Sequence, residues 1–202
     1  MNGPERVQDA FVHGRRTRVL AEAAARMLPP DLRLLDVGCG DGLFATILAR
    51  LRPDLDITGA EVMPRATCRI PVLSFDGEHL PFADGRFDAC LLIDVLHHTN
   101  APGVLLREAA RVSCRHLLLK DHNRSGFAAQ STLRFMDTVG NRRHGVPLPF
   151  NYLTPAEWSR LFAQCGLEVT GSDSLSRLYP FPASLIFGRQ LHFMALLSKR
   201  EA

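Results

Sequence analysis

The chain reads as an α/β protein on a doubly wound parallel sheet with helices on both faces, and three features predict it. Apolar runs of strand length alternate with helical patterns from about residue 32 to residue 120. These runs end in turn on acidic residues: Asp36, Glu61, Asp76, Asp94 and Asp121. The first run passes through Gly38-Cys39-Gly40-Asp41-Gly42 into a helical pattern, a tight turn whose missing Cβ atoms let a ligand approach the backbone.

The elements follow in order. Val7, Phe11, Val19, Leu20, Ala23, Met27 and Leu28 recur at helical spacing before Pro29-Pro30, which predicts an N-terminal helix over 7–28. Leu32–Val37 is the first strand and Gly42–Leu51 the first helix of the alternating part, with Phe44, Ile47, Leu48 and Leu51 on one face. Leu55–Ala60 and Pro71–Phe75 are strands. Between them Val62–Ile70, with Pro64, leaves room for one or two helical turns. Phe87–Ile93 is nearly all apolar, as expected of a strand buried on both faces. Pro102 opens a helix carrying Val104, Leu105, Ala109 and Val112, and His116–Lys120 is the fifth strand. Phe127–Val139 reads as a helix and Gly140–Leu153 as an ordered loop. Thr154, Pro155 and Glu157 start another helix, which ends near Gly166. Leu167–Thr170 and Leu191–Leu197, joined through Tyr179-Pro180-Phe181-Pro182, bring the count to seven strands.

A chain of 202 residues fits one domain, 1–202, with a core that needs neither disulfide nor metal. A net charge of +3 with scattered arginines gives no continuous basic stripe, so no nucleic-acid partner is expected. The five cysteines form no C-x-x-C pair and no close Cys/His ligand set, so the sequence indicates no metal; with no apolar leader, this points to reduced thiols and a cytoplasmic setting. No apolar run is long enough to span a membrane.

Two cofactor classes use such a glycine turn. The dinucleotide fingerprint is G-x-G-x-x-G, but here the spacing is G-x-G-x-G with Leu43 at the next position. Asp36 stands two residues before the first glycine, where a carboxylate repels a pyrophosphate and attracts a cation. An adenosyl cofactor with an amino-acid tail brings an ammonium and a sulfonium, so it suits the turn better than NAD. Glu61 is placed to accept from both ribose hydroxyls and Asp76 from an adenine amine.

Leu35–Gly42, Glu61, Asp76-Gly77-Glu78-His79-Leu80-Pro81-Phe82 and Phe87-Asp88 through Asp94-Val95-Leu96-His97-His98 occur in the order found in class I S-adenosylmethionine-dependent methyltransferases. Over residues 30–120 the chain resembles their small-molecule, type 11-like branch. The resemblance implies a Rossmann-like seven-stranded sheet, mostly parallel with the last strand antiparallel, and a cofactor over the tips of the first four strands. It implies that Asp36 and the Gly38-Cys39-Gly40 backbone hold the methionine part and Glu61 the ribose. Val62, Asp76 and Gly77 would meet the adenine, and Asp94, Val95 and His98 the methyl-donor side. Residues 30–120 then form the cofactor half and 121–202 the acceptor half.

The implied reaction is methyl transfer from S-adenosyl-L-methionine to O, N or C of a small organic acceptor by in-line displacement, leaving S-adenosyl-L-homocysteine. Alignment does most of the work, and a base is needed only for a weakly acidic acceptor. His122, past the fifth strand, is the candidate base, with His98 as a second candidate. His144, Asn151 and Tyr152 in the proline-stiffened loop are candidate acceptor contacts. Two alternatives stay open: a nucleic-acid or protein methyltransferase, and a cofactor-binding protein without catalysis. Asp94-Val95-Leu96-His97 is not the Asn/Asp-Pro-Pro-aromatic tetrad of base amino methylation.

Overall fold

A computed structural model describes residues 3–141, 148–175, 178–188 and 190–200. Its strands are β1 (Arg33–Val37), β2 (Asp56–Glu61), β3 (Val72–Ser74), β4 (Phe87–Ile93), β5 (Ser113–His122), β6 (Leu167–Asp173) and β7 (His192–Lys199). Its helices are α1 (Gly3–Met27), α2 (Leu43–Leu51), α3 (Pro102–Val112), α4 (Ala129–Asn141), α5 (Pro155–Gln164) and the short α6 (Ser184–Phe187). The strands form one seven-stranded sheet in the order β3-β2-β1-β4-β5-β7-β6. β7 is antiparallel to both neighbours while the other pairings are parallel. The expected topology, reversed final strand included, is the one found.

Each face of the sheet carries its own core. On one side α1 and α2 set Leu20, Ala24, Phe44 and Leu48 against Leu34, Ile57, Leu91 and Leu118 of the sheet. On the other, α3 and α5 set Leu105, Leu106, Ala109, Trp158 and Phe162 against Leu35, Val37, Leu92 and Leu119. The central strands β1, β4 and β5 therefore need apolar residues on both faces, which is why Phe87–Ile93 lacks a polar alternation.

Element ends shift by a few residues from the sequence expectation, as where β6 runs to Asp173, and three stretches differ in kind. β5 runs past Lys120 through Asp121 and His122, because Lys120, Asp121 and His122 pair with Met194, Phe193 and His192 of β7. His122 is thus the last rung of the strand, not a residue past its tip. Residues 62–70 form turns and no helix, and the segment between β6 and β7 contains α6 as well as the aromatic stretch. There Leu178 is buried while Phe181 is exposed.

The start of α5 follows its sequence signature. The Thr154 side chain accepts from the Glu157 amide and the Glu157 carboxylate accepts from the Thr154 amide at 2.7 Å, a complete capping box. One turn in, the Trp158 indole N–H donates to the His122 carbonyl at 3.0 Å, so this helix start also braces the end of β5. Thr154→Ala is expected to cost about 1 kcal/mol, read as a lowered midpoint in urea unfolding at unchanged slope.

Candidate functional site

β1 delivers Asp36 to the carboxyl edge of the sheet, where its side chain is 2% exposed. Its Oδ2 is buried without a hydrogen-bond partner. Burial, and then the charge of Glu61, push the Asp36 carboxyl up to about 7. A carboxylate left in this state asks for a cation. Gly38 and Gly40 follow at φ 72° and 59°, a left-handed backbone that disfavours side chains. A Cβ on Gly38 would lie 2.7 Å from Val95 Cγ2, whereas the space over Gly40 is open, leaving its backbone accessible from that side.

The start of α2 is already provided for. The Leu43 amide donates to Asp41 Oδ1 at 3.1 Å and the Gly42 amide to the Cys39 carbonyl at 3.0 Å. Glu61 at the tip of β2 accepts from the Gly40 amide at 2.8 Å and from the Val62 amide at 2.9 Å. Three carboxylates, Asp36, Asp41 and Glu61, thus surround the turn, an arrangement suited to a cation and hostile to a phosphate. Asp76 is placed at a turn after β3, where its Oδ1 accepts from the amides of Glu78 and His79 and its Oδ2 lies 3.1 Å from His79 Nδ1. Gly77 beside it takes φ 93°, and Val62 is exposed nearby, 3.6 Å from where a Gly77 Cβ would stand.

Past Val95, the tips of β4 and β5 hold a second, larger polar group. Asp94, in the left-handed region at φ 59°, accepts from Arg16 of α1 at 2.6 Å and pairs with Lys120 of β5. Lys120 is fully buried. His97, in the 3₁₀ turn Leu96–His98, sets Nδ1 2.7 Å from Asp121 Oδ1, and Asp121 also accepts from the amides of Leu96 and His122. The His122 Nδ1 lies 3.1 Å from His192 Nδ1, which Lys120 Nζ approaches at 3.4 Å. On the far side Asp137 of α4 faces both rings: Oδ1 is 3.3 Å from His122 Nε2 and Oδ2 is 3.5 Å from His97 Nε2. The Tyr152 hydroxyl donates to Asp137 Oδ2 at 2.6 Å.

The electrostatics follow from this packing. Burial opposes ionisation of Asp94, but Arg16 and Lys120 outweigh it and hold the carboxyl well below its ordinary range. Burial, then His97 and Lys120, lower His122 to about 4, so its ring is neutral at pH 7. Burial also works against a charge on His97, and the adjacent Asp121 more than offsets it. Burial and then Asp137 push the Tyr152 phenol up.

The sequence-derived candidates divide accordingly. Asp36, Gly38, Cys39, Gly40 and Glu61 share the glycine turn, and Asp94, Val95, His98 and His122 share the strand tips, where the His98 ring packs 4.0 Å from that of His97. Asn151 donates to the carbonyls of His97 and Thr99, so it braces the 3₁₀ turn. His144 lies outside the described residues. Nothing in the sequence marks Arg16, Lys120, Asp137 or His192 as site residues, and Asp121 reads there only as a strand end; they come from α1, β5, α4 and β7 and meet only in the fold. All five cysteines are free, and among the described residues no helix is long and apolar enough to cross a membrane.

A family model described as a methyltransferase domain matches residues 11–171. A ubiquinone biosynthesis O-methyltransferase of Azorhizobium caulinodans is 29% identical over 168 residues, 72% of this chain and 63% of that protein. A malonyl-[acyl-carrier protein] O-methyltransferase of Legionella pneumophila is 34% identical over 90 residues, 40% of this chain and 32% of that protein. The chain therefore spans less than two thirds of the length of either relative. Among solved structures, the 1,6-didemethyltoxoflavin-N1-methyltransferase of Burkholderia thailandensis, with 1,6-didemethyltoxoflavin and S-adenosylhomocysteine bound, superimposes with TM-score 0.68 at 16% identity, covering 98% of this chain and 84% of that one. At that identity the likeness speaks for the fold.

Proposed function

We propose that this chain, which belongs to the class I S-adenosylmethionine-dependent methyltransferases, transfers a methyl group from S-adenosyl-L-methionine to a small organic acceptor carrying a weakly acidic O–H or N–H. One observation carries the reading. The cation-seeking turn at Asp36 and the histidine group at the strand tips meet at Val95, whose side chain packs on Gly38. A methyl donor held at the first would present its methyl to the second.

The residues present suit the cofactor. The orphaned Oδ2 of Asp36 would take its ammonium, and the open side of Gly40 admits its amino-acid tail against the backbone. A carboxylate has about four acceptor sites, so Glu61 can receive ribose hydroxyls while keeping its backbone partners. Asp76 Oδ2 and Gly77, with Val62 beside them, would meet the adenine; Asp94, Val95 and His98 would border the methyl. Bound there, the cofactor supplies a sulfonium methyl that needs no proton on departure.

The chain's own part is alignment and proton removal. Asn151 and Asp121 fix the 3₁₀ turn bearing His97 and His98, and Trp158 fixes the end of β5 bearing His122. The acceptor's proton leaves at this histidine group, with His122 and His98 as the catalytic candidates. A cleft of about 230 Å³, lined by Asn123, Ser172, Asp173, Ser174, Gln190, His192 and Phe193, borders this group at His192. Tyr152 reaches the group through Asp137; together with Asn151 and His144 it belongs to the loop we assign to acceptor binding.

His122→Ala is expected to lower turnover by about 10²-fold or more while leaving S-adenosylmethionine affinity intact. The measurement pairs calorimetric cofactor binding with transfer of labelled methyl into a metabolite extract. Tight cofactor binding by the unaltered chain with no transfer to any fraction would favour the non-catalytic alternative.

A further inference from the structure

We propose that the group which takes the acceptor's proton is His192, with His122 relaying a proton on toward Asp137. The two rings stand on one rung of the sheet, His122 at the end of β5 paired with His192 at the start of β7. Among the described residues, the buried side-chain polar atoms without a hydrogen-bond partner are Arg16 Nε, Asp36 Oδ2, Ser113 Oγ and His192 Nε2. Asp36 belongs to the glycine turn, Arg16 Nε can only donate, and Ser113 lies at the other end of β5. That leaves His192 Nε2 as the atom at the strand tips free to receive a proton, and a buried polar atom in this state asks for a partner. His192 also lines the 230 Å³ cleft, which neither His97 nor His122 does.

The hydrogens follow from the partners. Burial, then Lys120 and His122, hold His192 well below its ordinary range, so this ring, like that of His122, is neutral at pH 7. Their Nδ1 atoms are 3.1 Å apart, so one carries a hydrogen and the other a lone pair. His122 Nε2 faces Asp137 Oδ1 at 3.3 Å. Burial works against ionisation of Asp137, but its bond from His122 outweighs burial and brings the carboxyl down to about 2, so Asp137 only accepts. With its hydrogen on Nε2, His122 offers the lone pair of Nδ1 to the Nδ1–H of His192, whose Nε2 keeps a lone pair. The reverse assignment fails twice. It sets a lone pair of His122 against a carboxylate, and it asks the single lone pair of His192 Nδ1 to serve both His122 and Lys120 Nζ, 3.4 Å away. Lys120 has Asp94 for its hydrogens.

The proton's route rests on the methyl-transfer reading; the hydrogen positions do not. As the acceptor's O–H or N–H bond breaks, His192 Nε2 takes the proton. The electron pair stays on the acceptor atom, which bonds the methyl carbon while the carbon–sulfur pair remains on sulfur. His192 passes its Nδ1 hydrogen to His122 Nδ1. The positive charge given up by the sulfonium thus ends on the His122 imidazolium, beside Asp137. His192 Nδ1, now with a lone pair, becomes an acceptor for Lys120. Charge thereby leaves His192, where Lys120 and Arg16 oppose it, for a ring with a carboxylate 3.3 Å away.

The test uses the full chain in two measurements. NMR of nitrogen-labelled histidines in the unaltered protein, with signals assigned through His122→Gln and His192→Gln, reads which ring nitrogens carry hydrogen. Expected are Nε2 of His122 and Nδ1 of His192; the opposite pair overturns the relay whatever the activity. The second measurement follows labelled methyl from S-adenosylmethionine into a metabolite extract. His192→Ala is expected to lose about 10²-fold or more in rate, to keep cofactor affinity within about threefold by calorimetry, and to recover about tenfold with free imidazole. His122→Ala loses as much and gains nothing from imidazole. A wild-type rate in His192→Ala, or recovery confined to His122→Ala, overturns the assignment while the methyltransferase reading stands. Cofactor binding without transfer by the unaltered chain rejects that reading, and the tautomers then decide the relay alone. Should His192→Ala lose its circular-dichroism signature, the rate of His192→Gln and the wild-type tautomers still decide.

Discussion

Asp36→Asn is expected to weaken S-adenosylmethionine binding by about 100-fold or more, the cost of leaving a desolvated cation without its counter-charge. The same change is expected to stabilise the free protein above pH 7. Asp36 carries a folded-state pKa near 7 against an ordinary 3.8, raised by burial and then by Glu61. The folded chain thus keeps a proton that the unfolded chain releases. The stability held by that proton is fully present below about pH 4, declines as pH rises toward 7, and is absent above it. By linkage the penalty at pH 8 is at most about 4 kcal/mol, and a neutral asparagine avoids it. The melting temperatures of wild type and variant should therefore separate at pH 8 and converge near pH 4. Cofactor at a concentration that saturates only the wild type should raise the wild type's melting temperature far more than the variant's.

A second consequence concerns pH and the wild type alone. Binding a cation beside Asp36 requires the carboxylate, so apparent cofactor affinity should fall roughly tenfold per unit below pH 7. About one proton should be released on binding at pH 5–6, visible as a buffer-dependent calorimetric enthalpy. A flat affinity between pH 5.5 and 8, or equal affinity of Asp36→Asn and wild type, would remove Asp36 from the ligand site.

The glycine turn was legible because all its information is local. Asp36, Gly38, Gly40 and Gly42 sit within seven consecutive positions, and the left-handed backbone they need is written in the residue type. Glu61 and Asp76 were legible because a parallel sheet brings every strand's carboxyl end to one edge. The strand-tip group resisted reading for the opposite reason. Lys120-Asp121-His122 looks like a polar strand end, since nothing nearby in sequence announces Arg16, Asp137, Tyr152 or His192. Only the antiparallel return of β7 and the placement of α1 and α4 turn those residues inward. The sequence misplaces the strand end because burial of a charge depends on partners, and the partners here are 26 to 78 positions apart.

That dependence on partners makes Asp94→Asn the most damaging stability change expected in the molecule. It leaves Lys120, fully buried, and Arg16 facing each other without a counterion, a situation worth about 3–5 kcal/mol. For a chain of this length that is a fall in melting temperature of about 6–20 °C. Lys120→Met should do far less, because Asp94 keeps Arg16 at 2.6 Å and methionine fills much of the same space. Combining the two changes should restore most of what Asp94→Asn loses, since only Arg16 then lacks a partner and its side chain is 26% exposed to water. The double variant melting above Asp94→Asn alone is the signature of a buried charge freed from its partner. Strict additivity of the two losses would mean that Asp94 acts through its packing, and that Lys120 owes its tolerance in the core to His192 instead.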